Sequence, residues 1–136
     1  MIKLTNDERR ALIDLAKEAG RRAYTPYSNY QVGAALRTRS GRIFTGCNVE
    51  NAAYPTSMCA ERIAIYKAVS EGEKDFDVIA LVTTNGGTPC GSCRQVMAEF
   101  SLDTIVLVAD GEGRLVQETT VSGLLPSAFT PKDLKR

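Results

Sequence analysis

The residues best suited to chemistry in this sequence are cysteines, together with a glutamate that follows one of them. Cys59 stands two residues before Glu61 in the segment PTSMCAERIA, and Cys90 and Cys93 form the segment CGSC. A CxxC pair on its own is compatible with a redox couple, half of a zinc site or two buried small residues. These segments indicate chemistry, and other residues must decide between the possibilities.

Cys59 and Cys90 are each predicted to lie where a loop meets the beginning of a helix. Helix N-termini carry partial positive charge, which lowers the pKa of a thiol. Two such termini brought together would present three thiolates, from Cys59, Cys90 and Cys93. Because three protein ligands leave the fourth tetrahedral position open, this arrangement is typical of catalytic rather than structural zinc.

The fourth cysteine of the chain, Cys47, falls in a strand pattern. It could complete a closed four-cysteine site, and the protein would then be a zinc-stabilised or redox-active interaction module. We expect Cys47 instead to be a small, partly buried residue outside the site. A thiol count with and without a chelator distinguishes the two interpretations.

Glu61 is the predicted proton carrier beside the metal. The chain contains no histidine, so a general acid or base near neutral pH must be another residue. A desolvated glutamate meets that need, since burial raises its pKa toward the working range. Arg62 and Arg94 follow the cysteines closely, and either cation could offset the net negative charge of zinc with three thiolates. The alternatives are a glutamate that only stabilises a helix N-terminus and two solvated arginines.

The elements that must position these residues alternate between helix and strand. Helical spacing and apolar runs predict, in order, a helix over 5–23, hairpin strands over 31–38 and 42–49, a helix over 59–72, a strand over 76–84, a helix over 90–100, strands over 104–110 and 115–119, and a helical turn over 120–129. Helices that alternate with buried strands imply a sheet covered on both faces. We therefore predict a single α/β domain over 1–136, with three α/β/α layers around a central five-stranded mixed sheet.

The two longest predicted helices have recognisable signals. Thr5 and Glu8 form a capping box at the beginning of the first helix, and Pro26 is expected to end it. Its predicted apolar face consists of Leu12, Leu15, Ala16, Ala19 and Ala23. One face of the second predicted helix consists of Ala60, Ala64 and Ala68.

The overall composition is that of an ordinary globular domain, with 43% hydrophobic and 24% charged residues among 136. A formal net charge of +1 gives no electrostatic reason to expect nucleic acid or an anionic membrane as a partner. The apolar runs are far shorter than the ~20 residues of a membrane span, and the segment MIKLTNDERR lacks the apolar stretch of a signal peptide. We expect a cytoplasmic protein, in a reducing compartment where cysteines serve as ligands or catalysts.

Five separated motifs cover the chain from about residue 23 to 129: PYSNYQVGAAL, GCNVENAAYP, CAERIAIYKAVSEG, PCGSCRQV and LLPSAF. Together they resemble the small homotetrameric cytidine deaminases, which carry the zinc deaminase signature. The resemblance implies the fold of that family, one Zn²⁺ per subunit, and a homotetramer with active sites shared between subunits. It also implies a free nucleoside as substrate and a role in pyrimidine salvage.

The resemblance further implies roles for individual residues. Cys59, Cys90 and Cys93 would hold zinc, which would activate a water, while Glu61 would shuttle protons as ammonia leaves C4 of the cytosine ring. Arg62 would hydrogen-bond the thiolates and balance their charge. The implied substrate contacts are Asn48 and Glu50 to the ribose, chiefly its 3′-OH, the Ala60 N–H to the pyrimidine O2, the Thr88 carbonyl to the leaving amino group, and Phe129 stacking on the base from a neighbouring subunit.

The chain departs from this family at Tyr30, where members often carry phenylalanine. An aromatic ring there still packs beside the substrate, but the hydroxyl could alter the preference for ring substituents. From the residues alone, Tyr30 and Phe129 are more simply interpreted as core aromatics.

Two other enzymes share the zinc chemistry. A polynucleotide cytidine deaminase would need a basic groove and stacking residues for flanking nucleotides, against which the near-neutral charge and the segment CNVEN argue. A deaminase of another cytosine nucleoside, such as blasticidin S or an N4-modified analogue, is disfavoured by CNVEN, which suits an ordinary ribose. The sequence leaves the order of preference among cytidine, deoxycytidine and modified analogues open.

Overall fold

A computed structural model describes residues 3–134, so the ends of the predicted domain, residues 1–2 and 135–136, lie outside the described residues. The helices are α1 (Asn6–Gly20), α2 (Ala60–Ser70), α3 (Gly91–Phe100) and α4 (Val121–Leu124). The strands are β1 (Val32–Thr38), β2 (Ile43–Cys47), β3 (Phe76–Thr83), β4 (Ile105–Ala109) and β5 (Leu115–Thr120). Two short 3₁₀ turns cover Tyr54–Thr56 and Pro131–Leu134. Within residues 3–134, no helix combines the length and hydropathy that a membrane span requires.

The strands form one mixed sheet in the order β2-β1-β3-β4-β5. β1 is antiparallel to both β2 and β3, whereas β3 and β4 run parallel and β5 returns antiparallel. The continuous apolar runs of β3 and β4 are buried along nearly their whole length, as expected of parallel strands with both faces covered. The predicted five-stranded mixed sheet is confirmed.

The sheet lies between two helical layers. On one face, Leu12, Ile13 and Ala16 of α1 pack on the inner positions of β1, β3 and β4. On the other face, α2 and α3 pack on the alternate positions of the same strands, with Ile65 and Met97 in that core. The three-layer α/β/α architecture is confirmed, and both helices that carry cysteines lie on the same face.

The first helix is shorter than predicted, so Ala23 of its predicted apolar face lies beyond it, and Leu15 of the same face is exposed. The capping box is present, since Thr5 and Glu8 exchange hydrogen bonds at 2.9 and 3.1 Å. The helix ends at Gly20, well before Pro26, because the following residues turn away so that Tyr24 bridges to Val49. Leu15 is 39% exposed because it lies about 100° around the helix axis from the buried Ala16.

Gly46 lets the second helix lie directly against β2. A Cβ atom at this position would stand 2.4 Å from the Ala60 carbonyl oxygen and 2.8 Å from the Ala64 nitrogen. The predicted face of Ala60, Ala64 and Ala68 is fully buried. Because Gly46 has no side chain, the first turn of α2, which carries Glu61 and Arg62, can pack in direct contact with the backbone of β2.

Candidate active site

Three cysteine sulfurs form a cluster of the size that one metal ion requires. The Sγ atoms of Cys59, Cys90 and Cys93 all lie within 4.8 Å of one another, with separations of 3.9 Å for Cys59–Cys90 and 3.4 Å for Cys90–Cys93. Tetrahedral zinc with Zn–S bonds near 2.3 Å places its sulfur ligands roughly 3.8 Å apart. The predicted convergence of the three thiols is therefore observed.

Two helix N-termini bring the cluster together. Cys59 is the N-cap residue of α2 and Cys90 that of α3, both in extended backbone conformations. The Cys93 N–H donates to Cys90 Sγ at 3.4 Å, so the α3 N-terminus directs a backbone donor at a ligand sulfur. Helix ends of this kind favour thiolates over thiols.

The electrostatics of the cluster favour a thiolate at Cys59. The hydrogen bond with the Cys93 thiol, followed by that with the Arg62 guanidinium, lowers the pKa of Cys59 to about 5. The same hydrogen bond and burial raise the pKa of Cys93. The cluster therefore holds negative charge that a divalent cation would neutralise.

Cys47 does not belong to the cluster. Within residues 3–134, the group of potential metal ligands consists of Cys59, Cys90 and Cys93. Cys47 ends β2, paired with Gly33, and is partly buried. The donor set thus fits an open three-thiolate zinc site, with a fourth position left for a non-protein ligand.

Glu61 lies in the first turn of α2 with only 5% of its surface exposed. Burial is the main cause that raises its pKa, and the negative charge of Cys59 adds to it. A raised pKa of this kind suits a carboxyl group that takes up and releases a proton. The role of Glu61 as proton carrier stays a prediction, and its burial beside the cysteine cluster is compatible with it.

Arg62 points at the cluster from the next position of α2. Its Nη2 donates to Cys59 Sγ at 3.3 Å, and the Cys59 thiolate raises the pKa of the guanidinium. Its Nε is buried, and no hydrogen-bond partner for it occurs in the part of the chain that the structure describes. A partly buried cation of this kind would be stabilised by the net −1 charge of zinc with three thiolates, which is a second reason that the residues fit this metal.

Arg94, the other candidate for balancing the thiolate charge, bonds oxygen acceptors in two neighbouring segments. Its guanidinium donates to the carbonyl oxygens of Pro89 and Leu124, both at 2.8 Å, and to the Thr88 hydroxyl at 2.9 Å. Arg94 therefore ties the loop before Cys90 to the end of α4. Sequence reasoning missed this role because nothing local encodes the distant partner.

The two residues predicted to contact ribose are held by hydrogen bonds. Asn48 accepts from the Val32 N–H at 2.9 Å and donates to the Tyr30 carbonyl at 2.8 Å. Glu50 accepts from the N–H groups of Tyr27 and Ser28, each at 3.1 Å, and from the Ser28 hydroxyl. Ser28 accounts for the largest lowering of the pKa of Glu50, so this carboxylate is ionised and oriented in advance.

A cleft of about 220 Å³ joins most of the predicted site. Its lining residues include Tyr30, Asn48, Cys59, Ala60, Glu61, Thr88 and Cys90. Glu50 lines a different opening, of about 340 Å³, with Tyr27, Ser28, Tyr54 and Ser57. Phe129 is outside both linings and 57% exposed, although its carbonyl accepts a hydrogen bond from Gln95 at 2.7 Å.

Comparison with known proteins points to one enzyme family. The model described as "Cytidine and deoxycytidylate deaminase zinc-binding region" matches residues 6–109. The cytidine deaminase of Halalkalibacterium halodurans is 49% identical over 130 residues, which span 93% of this chain and 98% of that protein. The crystal structure of cytidine deaminase from Burkholderia pseudomallei superposes with a TM-score of 0.85 at 44% identity, covering 93% of this chain and all of that one.

A relative with a different substrate is also similar. The blasticidin-S deaminase of Bacillus cereus is 35% identical over 129 residues, which span 88% of this chain and 90% of that protein. Proteins at this level of similarity to the chain are therefore named as deaminases of more than one substrate.

Proposed function

Because the chain belongs to the cytidine and deoxycytidylate deaminase family, we propose that it hydrolyses free cytidine and deoxycytidine to uridine and deoxyuridine with release of ammonia. The observation that carries the proposal is the cluster of Cys59, Cys90 and Cys93 within 4.8 Å, beside the buried carboxyl group of Glu61. Three thiolates, one proton carrier and a small cleft suit the deamination of a single pyrimidine ring.

Zinc is the metal that the three cysteines hold, and when bound it supplies the Lewis acid that activates a water for attack on C4. Glu61 is the group that takes one proton from the attacking water and delivers it to N3. It then takes a second proton, from the hydroxyl left on C4, and delivers it to the departing amine as the C4 carbonyl forms. Its burial supports this role, since a raised pKa lets one carboxyl group act as both base and acid.

The walls of the cleft support the orientation of the base. The Ala60 N–H at the α2 N-terminus would donate to the pyrimidine O2, and the Thr88 carbonyl would accept from the amino group that leaves. Both residues line the same cleft as Glu61. Arg62 would keep the thiolates charged and in place through its bond to Cys59.

The two residues proposed to contact the ribose support a nucleoside, rather than a free base, as the substrate. Asn48 and Glu50 would contact the ribose, chiefly its 3′-OH, so that ribose and deoxyribose are both accepted. The Glu50 carboxylate is already held by three donors from Tyr27 and Ser28. A fixed negative charge there favours a hydroxyl donor and disfavours a phosphate.

The active enzyme is proposed to be a homotetramer, with Phe129 reaching the base bound in a neighbouring subunit. The exposure of this aromatic ring, outside the cleft of its own chain, supports such sharing. A reducing cytoplasm, which keeps the cysteines as thiols, and the uracil nucleoside product fit a role in pyrimidine salvage. The mass of the protein in solution tests the assembly, and a monomer with full activity would rule out shared sites.

An ammonia-release assay over cytidine, deoxycytidine, cytosine, deoxycytidine 5′-monophosphate and single-stranded DNA tests the reaction, with zinc measured on the same sample. We expect turnover of the two nucleosides, little or none of the other three, and one zinc per subunit. Turnover of DNA or of the monophosphate in preference to cytidine would reject the proposal.

Blasticidin S is the second candidate substrate, because the Bacillus cereus relative named for it covers most of the chain. It belongs in the same assay. A higher kcat/KM for blasticidin S than for cytidine would transfer the proposal to that nucleoside without changing the roles of Glu61 and the three cysteines.

A further inference from the structure

Tyr30 carries a hydroxyl that does not point into open cleft space. It donates to the Asn85 side-chain oxygen at 2.7 Å, across 55 residues of sequence. Asn85 lies in the loop that connects β3 to α3, so the bond joins the segment before β1 to the segment before Cys90. The expectation that this hydroxyl could alter the preference for ring substituents stays a prediction, and the bond to Asn85 points to an additional role.

The bond continues through the loop as a chain of hydrogen bonds. The Gly87 N–H donates to the hydroxyl of the buried Thr83 at 2.7 Å, and that hydroxyl lies 3.5 Å from the same Asn85 oxygen. Connected hydrogen bonds strengthen one another, and this chain of bonds runs from the exposed side chains of Tyr30 and Asn85 to the buried Thr83. The network thus fixes the backbone immediately before Thr88.

Gly87 leaves the space that the Tyr30 hydroxyl occupies. A Cβ atom at position 87 would stand 2.8 Å from that oxygen and 3.4 Å from the Asn85 side-chain oxygen. Tyr30, Gly87 and Thr88 all line the catalytic cleft. The tyrosine hydroxyl and the missing side chain at position 87 are therefore complementary parts of one wall.

We infer that Tyr30 is a positioning residue, whose hydroxyl holds the loop from Asn85 to Thr88 in the geometry needed for loss of the amino group. The inference rests on the proposed function for its consequence in catalysis, since the Thr88 carbonyl is the proposed acceptor from that group. A small displacement of such an acceptor lowers turnover because the reacting groups lose their alignment.

The test begins with Tyr30→Phe, which keeps the ring and removes only the hydroxyl. Loss of one hydrogen bond predicts about a fivefold fall in kcat for cytidine, with KM nearly unchanged because the ring and Asn48 remain. Amide hydrogen exchange over residues 84–90 should be faster than in the parent protein. Tyr66→Phe, on the exposed side of α2, is the matched control and should change neither quantity.

Gly87→Ala provides the second arm, because the added methyl group would displace the Tyr30 hydroxyl. We expect it to resemble Tyr30→Phe in kcat and in exchange. The double variant Tyr30→Phe with Gly87→Ala should be no slower than the worse single variant, since the atom that clashes is gone. Two independent losses that multiply would overturn the inference.

Hydrogen exchange separates this inference from the proposed function. If the parent protein releases no ammonia from cytidine, the function fails, yet faster exchange over 84–90 in Tyr30→Phe would still support the positioning role. Unchanged exchange in that variant would overturn the role whatever its activity.

Discussion

Arg62 Nη2 donates a hydrogen bond to the Sγ of Cys59 over 3.3 Å. The two residues stand one helical turn apart on α2, so the helix that supplies a ligand also supplies its counter-charge. Arg62 therefore contacts the cysteine cluster directly, and its removal tests how much this contact contributes to the affinity for the metal.

Arg62→Gln should weaken zinc binding while the chain remains folded. Loss of a group that hydrogen-bonds a metal ligand typically lowers metal affinity by about 10- to 100-fold. Competition with a chromophoric chelator measures the change. Arg21→Gln removes an exposed guanidinium that bonds Glu18 and should leave zinc affinity as it is; an equal effect of both variants would contradict the special position of Arg62.

Glu61→Gln should retain zinc and lose turnover. The amide keeps the shape of the side chain but cannot carry a proton, and proton transfer by a positioned group contributes about 10²- to 10⁴-fold. Zinc content and kcat for cytidine, measured on one preparation, check the prediction. Glu99→Gln, on the exposed side of α3, is the control, and near-normal turnover of Glu61→Gln would remove Glu61 from the mechanism.

Cys90→Ala should lose zinc, whereas Cys47→Ala should keep it. Cys90 is a member of the three-sulfur cluster and Cys47 is not. Elemental analysis of both variants after dialysis against a mild chelator distinguishes them. Loss of zinc from Cys47→Ala, with the fold intact by circular dichroism, would support the alternative interpretation of a closed four-cysteine site.

KM for cytidine should not change as pH falls from neutral to about 4.5, the ordinary pKa of a glutamate. The pKa of Glu50 is lowered from 4.5, chiefly by Ser28, so the carboxylate persists as pH falls and is lost only below that value. The stability that these hydrogen bonds contribute is likewise present above 4.5 and lost as pH falls through the lower folded-state pKa.

Steady-state KM for cytidine between pH 5 and 8 checks this prediction for Glu50. A KM that rises between pH 6 and 5 in the parent protein, but not in Glu50→Gln, would show that the carboxylate titrates higher than its contacts indicate. Ser28→Ala removes the main cause of the lowered pKa of Glu50. In this variant KM should begin to rise at a higher pH than in the parent protein.

Gly46→Ala should destabilise the fold and displace the first turn of α2. Its Cβ atom would stand 2.4 Å from the Ala60 carbonyl oxygen, and overpacking of this kind costs about 1–3 kcal/mol of unfolding free energy. Urea unfolding measures the loss. Gly91→Ala, where an added Cβ meets nothing within 4 Å, is the stability control; equal unfolding free energies for both variants would contradict the close approach of α2 to β2.

Much of the fold was predictable because its signals are local. Alternating helical and apolar patterns gave all five strands and the three longer helices to within a few residues, and Thr5 with Glu8 marked the beginning of α1. The pattern failed at Leu15, whose exposure depends on where the sheet lies around the helix. The end of α1 was also wrong, because the bridge from Tyr24 to Val49 stops the helix before Pro26.

The sequence by itself indicated the candidate chemistry, since the three cysteines and Glu61, which we propose as zinc ligands and proton carrier, are marked by residue type and by position at helix beginnings. Only the tertiary structure decided which way the long side chains point. Arg62 turns to the thiolates while Arg94 turns to Pro89 and Leu124, and the Tyr30 hydroxyl reaches Asn85. Spacing indicates what is near in the chain, as for Arg62 and Cys59. Leu124 is 30 residues from Arg94 and Asn85 is 55 residues from Tyr30, so these pairs meet only after the sheet has packed.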